Sequence, residues 1–174
     1  AGGCLLVRAA ALDRIGGLSA IRGELIDDCA LAGALKRHRS HIWIGLTSHT
    51  RSIRPYNSLG EIGRMIARTA YAQLRYSPTM LALTLAGMIV TYLAPLLLLA
   101  TGDPWTTGVA LAAFALMSFS YVPALRFYSC SLLFAPLLPV AAAFYMGATI
   151  LSAVRYHQGR GGEWKGRAQA PRES

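Results

Sequence analysis

Between Tyr76 and Val154 the chain carries two charged side chains, Asp103 and Arg126, whereas eleven of its 17 Lys and Arg residues precede Tyr76 and five follow Val154. A charge desert of this length, flanked by basic segments, is the pattern of a membrane region whose ends meet anionic lipid. At 54% hydrophobic residues and a mean hydropathy of +0.41, the 174-residue chain is too apolar for an ordinary soluble domain. The net charge of +9 raises the question of nucleic acid. The basic residues sit at the flanks, with no interleaved aromatic stacking surface, which argues against a nucleic-acid partner.

The desert divides into three apolar runs. The first, "TMLALTLAGMIVTYLAPLLLLA" at 79–100, has no charge and is long enough to span ~30 Å of hydrocarbon at about 1.5 Å per residue. "GDPWTT" then makes a turn with Trp105 at the interface. The second run covers Val109 to Leu125 and the third Leu132 to Val154. Pro136 and Pro139 interrupt the third, which predicts a kink or a re-entrant segment. Three full crossings would put the tail opposite residues 1–76, yet its basic residues argue for the same, cytoplasmic side. The region 79–154 is therefore expected to hold two or three spans, with the proline-broken third the one expected to fall short.

Before the desert the pattern changes. Residues 4–7 read as a short strand, 9–15 as a helix closed by Gly16-Gly17, 27–38 as a second helix and "HIWIGLT" at 41–47 as another strand. Residues 1–56 thus read as the end of an α/β domain. A strand starting almost at the first residue has nothing to pair with, which predicts that the chain is the C-terminal part of a longer protein. In 57–78, Leu59, Ile62, Ile66, Ala70 and Leu74 recur at helical spacing while Arg64, Arg68 and Arg75 fall on another face. Such a helix either lies in the headgroup plane or packs on the preceding domain. Residues 155–174 form a basic, glycine-rich tail. Cys4, Cys29 and Cys130 lack metal-ligand spacing and are expected to be small apolar fillers. His38, His41 and His49 read as surface or interface residues, and no metal ligand is assigned.

Two of the eight acids stand together in "GELIDDCALAGALKRH", at Asp27 and Asp28. At a helix start they serve either as a cap on free N–H groups or, in one case, as a base kept ionised by the helix dipole. Adjacent helical positions point apart, so the two acids do not share one task.

The surroundings of this pair carry a resemblance. Gly2-Gly3 with an apolar strand, Arg8, the acidic pair before "CALAGAL", and "QLRY" ahead of the apolar runs are similar to the family 2 glycosyltransferases. More narrowly, "IRGELIDDCALA", "ARTAYAQLRYSP" and "GRGGEWKGR" resemble the hopene-associated (hopanoid biosynthesis) glycosyltransferases. The family's catalytic base is the second acid of a Glu-Asp pair, which matches Asp28, while Asp27 stands where Glu is usual. Its Gln-x-x-Arg-Trp motif is met at Arg75 only, since Tyr76 replaces Trp, Ala72 replaces Gln and Gln73 comes one position late.

The resemblance implies a GT-A-like nucleotide-sugar transferase domain followed by a helical membrane domain in the bacterial plasma (inner) membrane, multi-pass, with its catalytic part cytoplasmic. It implies inverting transfer of a sugar from a nucleotide-sugar donor to a lipid hydroxyl. Asp28 is the implied base, and Gly2, Gly3, Asp27, Arg75 and Tyr76 are the implied substrate contacts. Mg²⁺ or Mn²⁺ is implied for the full-length protein, with its Asp-x-Asp ligands outside this chain, so the fragment alone is expected to be inactive. The competing class is a non-enzymatic anchoring or scaffold module, which accounts for the apolar runs and basic flanks but not for the residues around Asp28 and Arg75. A transporter fits less well, because outside the "GDPWTT" turn Arg126 is the one charged residue that interrupts the membrane region.

Overall fold

The structure, a computed structural model, describes residues 4–50 and 56–162. Those residues form helices joined by turns, with no strand among them. The expected α/β character is therefore overturned. Residues 4–7 and 41–47 have the apolar composition of strands, but no second extended segment lies beside either to complete a hydrogen-bonded ladder. They are left open to solvent instead, with Leu6 100%, Trp43 87% and Ile44 82% exposed.

The first block is a small helical unit. Helix α1 (Ala9–Arg14) and helix α2 (Asp27–Arg37) bury Ala11, Ile15, Leu31, Ala34 and Leu35 against one another, with Val7, Leu12 and Ile21 at the edge. Both helices were legible from periodicity, within one residue at each end. The cysteines depart from expectation, since all three are free and exposed.

Helix α3 (Leu59–Gln73) starts at Ser58, whose hydroxyl accepts from the Glu61 amide at 3.2 Å, while the Glu61 carboxylate takes the Asn57 N–H at 3.0 Å. This reciprocal closure fixes where the helix begins. The face that α3 buries is not the large apolar stripe. Gly63, Ala67 and Tyr71 lie about a quarter turn away from that stripe, and they seat α3 against the third apolar segment. A Cβ on Gly63 would stand 3.3 Å from the Phe144 ring. Small residues let two helices approach this closely.

Three helices are long and apolar enough to cross a membrane: Pro78–Thr101, Pro104–Phe127 and Leu132–His157. The first comprises α4 (Pro78–Met88), a π turn (Ile89–Leu93), α5 (Ala94–Leu98) and a closing 3₁₀ turn. Its widened turn lies just before Pro95, whose ring has no N–H to give and crowds the carbonyl four residues earlier. The second, α6 (Pro104–Phe127), is capped by Asp103, which accepts from the Thr106 amide at 2.8 Å and the Thr106 hydroxyl at 2.7 Å. Those donors hold the Asp103 carboxyl below its ordinary range. The third is broken, as its prolines foretold, into a 3₁₀ stretch (Leu132–Leu137) and α7 (Leu138–His157).

Helices α3 and α7 run in the same direction. Gly63 meets Phe144, and the Tyr71 amide donates to the Ser152 hydroxyl at 3.0 Å, the same offset of 81 residues in both places. Beyond them Tyr76 stacks on Tyr156, with ring centroids 4.4 Å apart. The beginning of the first apolar helix and the end of the third therefore meet. A path that leaves one place and returns to it passes any membrane an even number of times.

With the native cysteines replaced by serine, a cysteine at Arg75 and one at Gln158 should react with an impermeant thiol reagent from the same face of the membrane. Labelling of these two positions from opposite faces would contradict this path.

Candidate functional site

The acidic pair does not cap α2 in the manner expected of an Asp. The N-cap position belongs to Ile26, which offers no side-chain acceptor, and Asp27 and Asp28 occupy the first turn. Each carboxylate turns to the next amide: the Asp28 N–H donates to Asp27 Oδ1 at 3.0 Å and the Cys29 N–H to Asp28 Oδ1 at 2.8 Å. First-turn acids satisfy free N–H groups and face the positive end of the helix dipole, which favours the ionised form. The two then diverge. Asp27 is exposed, whereas Asp28 is half-buried.

What Asp28 faces is a cleft of about 470 Å³ on one flank of α3. Its apolar wall is Met65, Ile66, Ala70 and Leu74, so three residues of the α3 stripe form a lining and not a packed seam. Opposite and around them stand Thr69 and Gln73 from α3, Thr84 from α4, and Tyr145 and Thr149 from α7. Thr149 is buried and its hydroxyl donates to the Tyr145 carbonyl at 2.8 Å, leaving its oxygen as an acceptor. An ionised carboxylate, a side-chain amide and several hydroxyls thus share a pocket whose wall is hydrocarbon. Such a pocket suits a molecule with a long apolar body and a polar, hydroxyl-bearing end.

Arg75 and Tyr76 lie outside this lining, at the end of α3. Both hold left-handed backbone, with φ 55° each, a conformation side chains other than Gly rarely adopt. The turn closes α3 through the Tyr76 amide, which donates to the Tyr71 carbonyl at 3.0 Å. Tyr76 is held by its rings: it stacks on Tyr156 and meets Tyr71 edge-on at 5.8 Å, and Tyr71 touches Tyr156 at 5.4 Å and His157 at 5.8 Å. Strain at non-glycine positions persists where the surroundings over-determine it. Burial pushes the Tyr76 phenol above the ordinary tyrosine value, and the neighbouring Tyr156 and then Glu24 add to the shift. Glu24 belongs to the loop leading into α2.

The structure thus brings Asp28 to α3 and leaves Arg75 exposed, outside the cleft lining. Gly2 and Gly3 lie outside the described residues. Thr69, Gln73, Thr84, Tyr145 and Thr149 were not picked out from sequence as a constellation. Gln73 alone had a signal there, as a Gln one position late, and it is Gln73 and not Ala72 that reaches the cleft. Among the described residues no group of three His, Cys, Asp or Glu side chains is placed to hold a metal ion. Comparison with protein-family models, with curated proteins and with solved structures finds no match.

The Tyr76 shift has a testable sign. A raised phenol pKa means the folded state holds this proton more tightly than the unfolded chain. Its contribution is complete below the ordinary value of 10.0 and is lost as pH rises through the folded value. Thermal unfolding followed across that alkaline range should show a decline that Tyr76→Phe reduces. An identical decline in the variant would remove Tyr76 from the account.

Proposed function

We propose that the chain is part of a membrane-bound inverting glycosyltransferase that moves a sugar from a nucleotide-sugar donor to the hydroxyl of a lipid, of hopanoid type by the resemblance of its motifs. The observation that carries this reading is the half-buried Asp28 facing a cleft that is apolar along α3 and hydroxyl-lined elsewhere, beside three membrane-capable helices. The motifs around Asp28 and Arg75 supply the reaction class, and the cleft supplies an acceptor of matching chemistry. The reading places the catalytic part at the cytoplasmic face of the bacterial plasma membrane.

In this reading the lipid lays its apolar body along Ile66, Ala70 and Leu74, with its hydroxyl turned to Asp28. Asp28 takes the hydroxyl proton as the oxygen attacks the anomeric carbon. The bond from that carbon to the donor's phosphate oxygen breaks on the opposite face, and the nucleoside diphosphate leaves with the electron pair, which inverts the anomeric centre. Arg75, planar and permanently charged, meets the charge that develops on the departing diphosphate. Tyr76 holds Arg75 through its stack on Tyr156. Gln73 and the threonines orient the acceptor; a carboxylate base works only if the hydroxyl sits within hydrogen-bond reach.

In the full-length protein, Asp28→Asn should lower transfer by roughly 10²–10⁴-fold, the usual worth of a positioned general base. The fold should survive, since the change removes one first-turn charge, a loss of about 0.3–1 kcal/mol. Asp27→Asn should lower transfer far less, because Asp27 is exposed and does not line the cleft. Purified variants assayed with one donor and one acceptor decide the matter. Near-normal transfer by Asp28→Asn, or the larger loss at Asp27, would return the pair to a structural role.

A further inference from the structure

A second groove, of about 420 Å³, runs along the other flank of α3, between it and α7. Its chemistry differs from that of the Asp28 cleft. The walls are Leu59, Phe144, Ala148 and Leu151, and among the described residues no acidic side chain lines it. Gly60, Gly63 and Gly147 keep it open, and a Cβ on Gly147 would meet nothing within 4 Å. The polar groups that border it are two guanidinium side chains, exposed Arg64 on α3 and half-buried Arg155 near the end of α7. Arg64 lies back along its own helix, with Nη1 3.5 Å from where a Gly60 Cβ would stand. Glu61, the nearest acid in sequence, has its carboxylate on the Asn57 amide.

We infer that this groove is a binding site for an anionic phospholipid, with an acyl chain against the Phe144–Leu151 wall, the phosphate at Arg155, and Arg64 adding positive charge farther along the groove. A soluble anion would gain nothing from the hydrocarbon wall, and a neutral lipid nothing from the arginines. The groove follows α7, the end of a segment apolar enough to enter a bilayer, and Arg155 stands in its last turn. An arginine stem lies along apolar surface while its planar head reaches phosphate. This inference does not depend on the transfer reading, because it uses neither Asp28 nor its cleft.

The test is lipid retention by the purified whole protein, measured by native mass spectrometry from mixed phosphatidylglycerol and phosphatidylcholine. The wild type should prefer phosphatidylglycerol by roughly five-fold or more, as expected for one arginine at an anionic headgroup. The double variant Arg64→Gln, Arg155→Gln should lose that preference. Gly147→Leu, which fills the groove without touching a charge, should lose retention of both lipids. It replaces a poor helix former with a good one in open space, so it decides the question even where the double variant does not fold. Equal retention of the two lipids by the wild type, an undiminished preference in the double variant, or full retention by Gly147→Leu would overturn the inference. Displacement of the bound lipid by inorganic phosphate alone would also overturn it, by showing a site for a free anion.

Discussion

The seam between α3 and α7 is the contact on which the rest of the molecule depends. It is made possible by small side chains, Gly63 and Ala67, and closed by one large one, Tyr71, which is 1% exposed. Burying an aromatic side chain contributes about 1.5–3 kcal/mol, and a well-placed ring pair about 0.5–1.5 kcal/mol more. Tyr71 meets three rings, Tyr76, Tyr156 and His157. Against this stands the left-handed backbone of Arg75 and Tyr76, which costs roughly 1–2 kcal/mol per residue. The ring cluster is large enough to hold the strained turn, and without it the turn has no reason to persist.

The seam also decides what the remaining surface of α3 is for. Because small residues take the contact with α7, the large apolar residues are turned away from it and border open grooves on both sides. One groove holds a carboxylate and hydroxyls, the other a pair of arginines. The proposed acceptor cleft and the inferred phospholipid groove are thus two consequences of one packing choice. A lipid held on the arginine side would brace α3 against α7 from outside, while the reacting lipid would occupy the side that Asp28 faces.

Much of the helical content was legible in the sequence, for identifiable reasons. The apolar runs need no partner to be recognised, because length and absence of charge define them, and Pro136 and Pro139 announced the break in the third. The boundaries of α2 followed from the helix-like run after the acidic pair, and the structure ends that helix within one residue of the expected place. The extended segments were misjudged because a strand is a property of a pair: "CLLV" and "HIWIGLT" have the side chains for a sheet but no neighbour among the described residues. The packed face of α3 was missed because hydrophobic periodicity weights large residues, and here glycine and alanine do the packing. The Ser58–Glu61 closure had a visible signature, Ser followed three residues later by Glu, and was passed over. The cluster of Tyr71, Tyr76 and Tyr156 joins residues some eighty positions apart, a juxtaposition no local pattern announces.

The central claim is that Asp28 faces the apolar stripe of α3 across one cleft, on the flank opposite the arginine groove. Thiol cross-linking in intact membranes, with a short bifunctional reagent and the native cysteines replaced by serine, tests it most directly. Asp28→Cys paired with Gln73→Cys should cross-link readily, and Asp28→Cys paired with Arg64→Cys should not. Cross-linking to position 64 in preference to position 73 would place Asp28 on the other side of α3 and contradict the account.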